Sequence, residues 1–81
     1  MIPKLTKDAI DAFVRHGQIP GGFVCAVLSN NLSESFQRAD ESNLAAMFEI
    51  VDYCYNRIPG GCWGSTTKMN AWMKAKREAG Q

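Results

Sequence analysis

The tetrapeptide Ile-Pro-Gly-Gly occurs twice in this chain of 81 residues, at positions 19–22 and again at 58–61. Proline has no amide hydrogen and stops a continuing helix, while adjacent glycines reach backbone angles closed to other residues. Each copy therefore marks a corner between two segments whose apolar spacing reads as helix. Amide donors at a helix start that follows such a corner point outward, where an anion or a partner's backbone can meet them. The recurrence is too short to establish an internal duplication.

Helical periodicity fills the stretches between the corners. Thr6 reads as an N-cap, with residues 7–16 following, Gly17 as terminator, and Ile10, Phe13 and Val14 on one face. After the first corner Val24, Leu28, Leu32 and Phe36 continue at helical spacing, with an interruption expected near Asn30-Asn31. Asp40 reads as the N-cap of a third helix over residues 41–56, with Glu41 at its positive end. Leu44, Met47, Phe48, Val51 and Tyr55 form its stripe, and Ala45, Ile50, Tyr53 and Cys54 widen it beyond a one-sided face. A helix apolar over most of its circumference is expected at the centre of the fold. Asn56 reads as its C-cap. Ser65 reads as the N-cap of the last helix, with Met69, Trp72 and Met73 buried and Gly80 at its frayed end. The expected fold is all-α: a compact bundle of four or five short helices around a central hydrophobic helix, in a single domain over residues 1–81.

A domain this small is modestly stable, at about 4–12 kcal/mol by the usual value per residue. Nine basic and eight acidic residues leave a net charge of +1, so no global field favours nucleic acid. The distribution is uneven, because from Ser65 onward Lys68, Lys74, Lys76 and Arg77 face only Glu78. The favoured reading of that bias is alignment with the helix's own dipole on a solvated face. Cys25, Cys54 and Cys62 are an odd set without paired spacing and, with no signal-like start, read as reduced thiols in a cytosolic protein. One histidine, His16, and scattered cysteines argue against zinc, and no cofactor motif is present. No apolar run approaches the roughly 20 residues a membrane span needs.

The richest local signal is Pro59-Gly60-Gly61-Cys62-Trp63-Gly64-Ser65-Thr66-Thr67-Lys68. Three glycines free its backbone, Ser65 and Thr66 supply hydroxyls, and Lys68 with the helix-start amides suits a phosphate or carboxylate. Trp63 either stacks on a partner or packs inward, and the inward reading, with Ser65 as a cap alone, is the stronger for any one residue. The Gly-Lys-Ser/Thr ending of a phosphate-binding P-loop is absent. Arg38, Asp40, Asn43 and Arg57 form a second polar set, in which Arg38 or Arg57 suits an anionic ligand, though such residues more often cap helices or pair with Asp40 and Asp52. His16 with Asp11 or Cys25 offers no oriented base, and Glu49 with Asp52 is a common exposed arrangement, so no catalytic residues are assigned.

Gly21-Gly22-Phe23 and Ala26-Val27-Leu28-Ser29-Asn30-Asn31-Leu32, followed by Arg38-Ala39-Asp40-Glu41-Ser42-Asn43, resemble a pattern of small uncharacterised bacteriophage and prophage proteins. Tyr55-Asn56-Arg57-Ile58-Pro59 and Cys62-Trp63-Gly64-Ser65 extend the resemblance over about residues 20–73. No catalytic residues carry over from that group. The resemblance implies a phage accessory protein made in a host bacterial cytoplasm, a class that includes inhibitors of host defence and of host regulators.

The leading expectation is therefore a non-enzymatic binding protein that captures a host protein or a phosphate-bearing nucleotide signal, as a counter-defence inhibitor. Its expected surface comprises Arg57, Gly60, Gly61, Trp63, Ser65, Thr66 and Lys68. The rival is a small nucleic-acid-binding regulator using Lys68, Lys74, Lys76 and Arg77 on phosphates, with affinity falling steeply in salt. Met69, Trp72 and Met73 complete the core or, less favoured, form the seam of a homo-oligomer.

Overall fold

The computed structural model describes residues 1–79, so the expected frayed end at Gly80 lies outside the described residues. Among the described residues there are six α-helices, one 3-10 turn and no strand, as the all-α reading expects. The helices are α1 (Lys4–His16), α2 (Gly22–Leu28), α3 (Leu32–Arg38), α4 (Glu41–Ala45), α5 (Met47–Arg57) and α6 (Thr66–Ala79). The 3-10 turn spans Gly60–Cys62, within the second corner.

α1 starts earlier than the capping signal implies. Pro3 occupies the N-cap position, and Thr6 lies inside the helix, buried, with its hydroxyl donating to Asn43 Oδ1. A threonine within reach of a buried amide oxygen is worth more there than at an exposed helix end. Gly17 closes α1 as expected, at φ 69° and ψ 21°, with its amide donating to Phe13 O. The left-handed conformation is one reason for glycine there. A Cβ would also fall 2.8 Å from Lys76 Cβ and 2.9 Å from Met73 O, because α1 ends against α6.

The break between α2 and α3 falls at the expected Asn30-Asn31. Asn30 is left-handed at φ 62°, and Asn31 caps α3 by accepting from Glu34 N. That turn re-aims the chain. Val24, Val27 and Leu28 are buried, whereas α3 buries only Ser35 and leaves Leu32 and Phe36 exposed. The expected continuation of the buried run through Leu32 and Phe36 is thus corrected.

The expected central helix is helical but is neither unbroken nor buried all round. Asp40 caps α4 by accepting from Asn43 N at 2.8 Å. Ala46 then interrupts the helix, its amide shared between Ser42 O and Asn43 O at 3.2 Å each, while its carbonyl accepts from Ile50 N. Ala46, Met47, Ile50 and Cys54 face the core, while Leu44, Phe48, Val51 and Tyr55 face outward. Asn56 does not cap α5. Its Nδ2 bonds back to Asp52, and the C-cap is Ile58 in extended backbone.

The core is shared rather than central. Ile10 and Phe13 of α1, Val24, Val27 and Leu28 of α2, Ile50 and Cys54 of α5, Ile58, Cys62 and Met69 of α6 form one cluster. Two long-range bonds lock its periphery: Trp72 Nε1 donates to Val14 O at 3.0 Å, and Gly64 N to Leu28 O at 2.8 Å. Met69 and the half-buried Trp72 and Met73 pack inward as the favoured reading requires.

Candidate functional site

Residues of the segment 57–68 line two different openings, which share Asn31. Arg57 is exposed and forms no ion pair among the described residues. Gly60 and Gly61 are exposed with open space around them, and they precede the bond that closes the 3-10 turn, Cys62 N to Pro59 O at 3.2 Å. Cys62 lies beneath, fully buried, its thiol donating to Pro59 O. Trp63 is half-buried against the core and closes an apolar groove of about 110 Å³ between α3 and α5. Ser65 caps α6, its hydroxyl accepting from Lys68 N at 3.1 Å, so that amide is already engaged. The Lys68 side chain is exposed. Thr66 does not line that groove but a crevice of about 300 Å³ against α2 and α3.

That crevice draws together residues far apart in sequence. Gly22 comes from the first corner, Ser29 from the end of α2, Arg38 from the end of α3, and Thr66 from the first turn of α6. Arg38 Nε donates to Glu34 Oε1 at 2.8 Å, one turn earlier on α3. The expected pairing of Arg38 with Asp40 is therefore replaced by an i,i+4 pair, the nearest carboxylate along the helix. A guanidinium carries five N–H donors, so that single bond leaves the outer ones unspent. Nη1 lies over Gly22, where a Cβ would come within 2.8 Å of it. A second hollow of about 320 Å³ shares Gly22 and Arg38 and adds Asp40, Asn43 and Thr6. The Arg38 guanidinium thus forms the ridge between two adjoining openings.

The pairs considered for catalysis do not meet. Asp11 is held by Tyr53 Oη and, at 3.0 Å, by Lys7 Nζ. Burial works to raise the Asp11 carboxyl, but the Tyr53 and Lys7 bonds and nearby Arg15 outweigh it and bring it below its ordinary value. Tyr53 is raised by the same bond. Cys25 Sγ donates to Pro20 O at 3.3 Å, and His16 is exposed at the end of α1. Burial raises all three thiols, Cys54 to about 12 with help from neighbouring Cys62. Thiols so held are poor nucleophiles at neutral pH. Among the described residues no cluster of His, Cys, Asp and Glu gathers as a metal site, and no helix is long and apolar enough to cross a membrane.

The four cations of the last helix do not form one stripe. Lys76 is half-buried, its Nζ 5.0 Å from the centroid of the Trp72 ring. Lys74 and Arg77 lie about 240° and 180° around the helix from Lys68 at 100° per residue.

Two features escaped the sequence reading. One is the crevice, whose Glu34–Arg38 spacing was legible but whose approach to Gly22 and Thr66 depends on the tertiary fold. The other is the outer apolar face of α4 and α5. Comparison with family models, with curated proteins and with solved structures gave no match.

Proposed function

We propose that this chain is a non-enzymatic phage accessory protein that acts in a host bacterial cytoplasm by stoichiometric binding, as an inhibitor of host defence. The phage setting rests on the resemblance over residues 20–73. The binding reading is carried by one observation: Arg38, with donors to spare, stands between two hollows beside the first glycine corner and the start of α6. Phosphate is the matching chemistry, since guanidinium donors meet its oxygens in planar pairs and the Thr66 hydroxyl lies at the same opening, while Ser29 Oγ already donates to Ala26 O. A phosphate-bearing nucleotide signal is therefore the preferred ligand. The exposed Arg57, Gly60, Gly61 and Lys68 are left for a protein-sized host partner.

The test is calorimetric titration of the purified protein with linear and cyclic host nucleotides and with inorganic phosphate, beside the variant Arg38→Gln. Saturable one-to-one binding is expected, weakened roughly 10- to 100-fold in the variant, the usual worth of a charge-assisted bond. Absence of nucleotide binding, or equal affinity in the variant with unchanged helical circular dichroism, refutes the reading. Binding to short duplex DNA that falls steeply with salt would instead favour the nucleic-acid regulator.

A further inference from the structure

The outer face of α4 and α5 carries Leu44, Phe48, Val51 and Tyr55, with no charged side chain among them. Phe48 is 80% exposed and Tyr55 77%. The face continues across the groove to Leu32 and Phe36 of α3. Leu32 and Val51 form opposite walls of that groove, Val27 and Met47 line it between them, and Trp63 closes it. Aromatic side chains carry about 150–250 Å² each, so these six residues together expose on the order of 750 Å² of apolar surface. The largest apolar patch on a typical monomer is about 300–600 Å², whereas a standard interface needs about 800 Å² from each partner.

The exposed area suits a second copy of the chain as occupant, and the spacing is compatible with one. Along the helix the four residues are separated by four, three and four positions, a pattern that reads the same in both directions. Two copies of such a stripe laid antiparallel put Leu44 of one against Tyr55 of the other, and Phe48 against Val51, each contact occurring twice. A two-fold interface requires this reciprocity: residue i meets j and j meets i. The flanking acid Asp52 accepts a hydrogen bond from Asn56 Nδ2 at 2.8 Å, along its own helix.

We infer that the α4–α5 face, extended by Leu32 and Phe36, is the seam of a two-fold antiparallel homodimer. The crevice at Arg38 lies outside the seam residues, so each copy carries its own ligand opening, and the inference stands or falls independently of the nucleotide reading. This moves any self-association away from Met69, Trp72 and Met73, which are turned into the core.

Sedimentation equilibrium over the micromolar range tests the inference. The full chain is expected to sediment as a dimer. Phe48→Glu is expected to weaken association on the order of 1,000-fold, because each hot spot is lost twice per dimer. Phe48 is exposed in the single copy, so helical circular dichroism should be retained. Register is tested by Leu44→Lys and Tyr55→Glu: each alone should give monomers, and the two combined in one chain should restore the dimer through a cross-copy ion pair. A chain that stays monomeric throughout, a Phe48→Glu variant that still dimerises, or a double variant that fails to recover would each overturn the inference.

Discussion

Replacing Gly17 by alanine probes the close approach of the end of α1 to α6. Gly17 is buried where α1 ends against α6, and two separate costs attach to a side chain there. The first is conformational: φ of 69° is left-handed, which costs an L-residue about 1–2 kcal/mol. The second is steric, since the new methyl would sit 2.8 Å from Lys76 Cβ and 2.9 Å from Met73 O, neither of which is the free end of a flexible chain. Forcing a methyl into a filled site costs about 1–3 kcal/mol. Together these remove about 2–5 kcal/mol from a domain holding only about 4–12. At about 4–8 °C per kcal/mol for a chain of this size, the melting temperature should fall by 10 °C or more. Thermal and urea unfolding followed by circular dichroism would measure it. Gly61→Ala is the control, because nothing lies within 4 Å of its added Cβ, and its change should stay within about 0.5 kcal/mol. Gly17→Asn separates the two costs, since asparagine tolerates the left-handed region yet carries the same Cβ. A Gly17→Ala loss no larger than that of Gly61→Ala would refute the proposed packing of α1 on α6.

Further outcomes follow from the caps, thiols and carboxylates. Ser65→Ala should cost about 1 kcal/mol in urea unfolding by uncapping α6, and no change would mean that the hydroxyl does not hold that amide. Native titration with an aromatic disulfide at mildly alkaline pH should count at most Cys25, with Cys54 and Cys62 reporting only in denaturant; three fast native thiols would contradict their burial. Asp11 is depressed in the folded state below its ordinary value of 3.8, so the stability it contributes is present above that value and is lost as pH falls through the lower folded one. Acid unfolding of Asp11→Asn should lack this component, and an acid profile identical to that of the unaltered chain would sink the Tyr53–Asp11–Lys7 arrangement.

Local chemistry was the most legible part of the sequence. Gly17, Asp40 and Ser65 act where their residue types imply, because caps are decided by the few backbone groups beside them. Thr6 shows the limit of that logic: its hydroxyl found Asn43, 37 residues away, and Pro3 took the cap position. The harder question was which side of a helix faces inward. Residues 41–56 contain two apolar stripes, one of Met47, Ile50 and Cys54 and a larger one of Leu44, Phe48, Val51 and Tyr55. Periodicity finds both but cannot say which one the neighbouring helices cover, and bulk alone favours the wrong one. α3 poses the same problem, since a single left-handed asparagine turned Leu32 and Phe36 to solvent. For the candidate site, segment 57–68 was readable as glycine-rich and polar, but only Thr66 of its residues reaches the crevice. The remainder of that opening is assembled by α2 and α3, through contacts that spacing in one dimension does not encode.

The indole of Trp72 reaches back 58 positions to the carbonyl of Val14, and Gly17 nests in the same helix. During synthesis α1 therefore emerges from the ribosome long before the surface that seals it exists. Until α6 leaves the exit tunnel, Phe13 and Ile10 lack part of their cover, and the nascent chain is open to proteases and chaperones. The helix α6 thus acts as a latch on α1, and premature termination before Trp72 would release a product that lacks this bond.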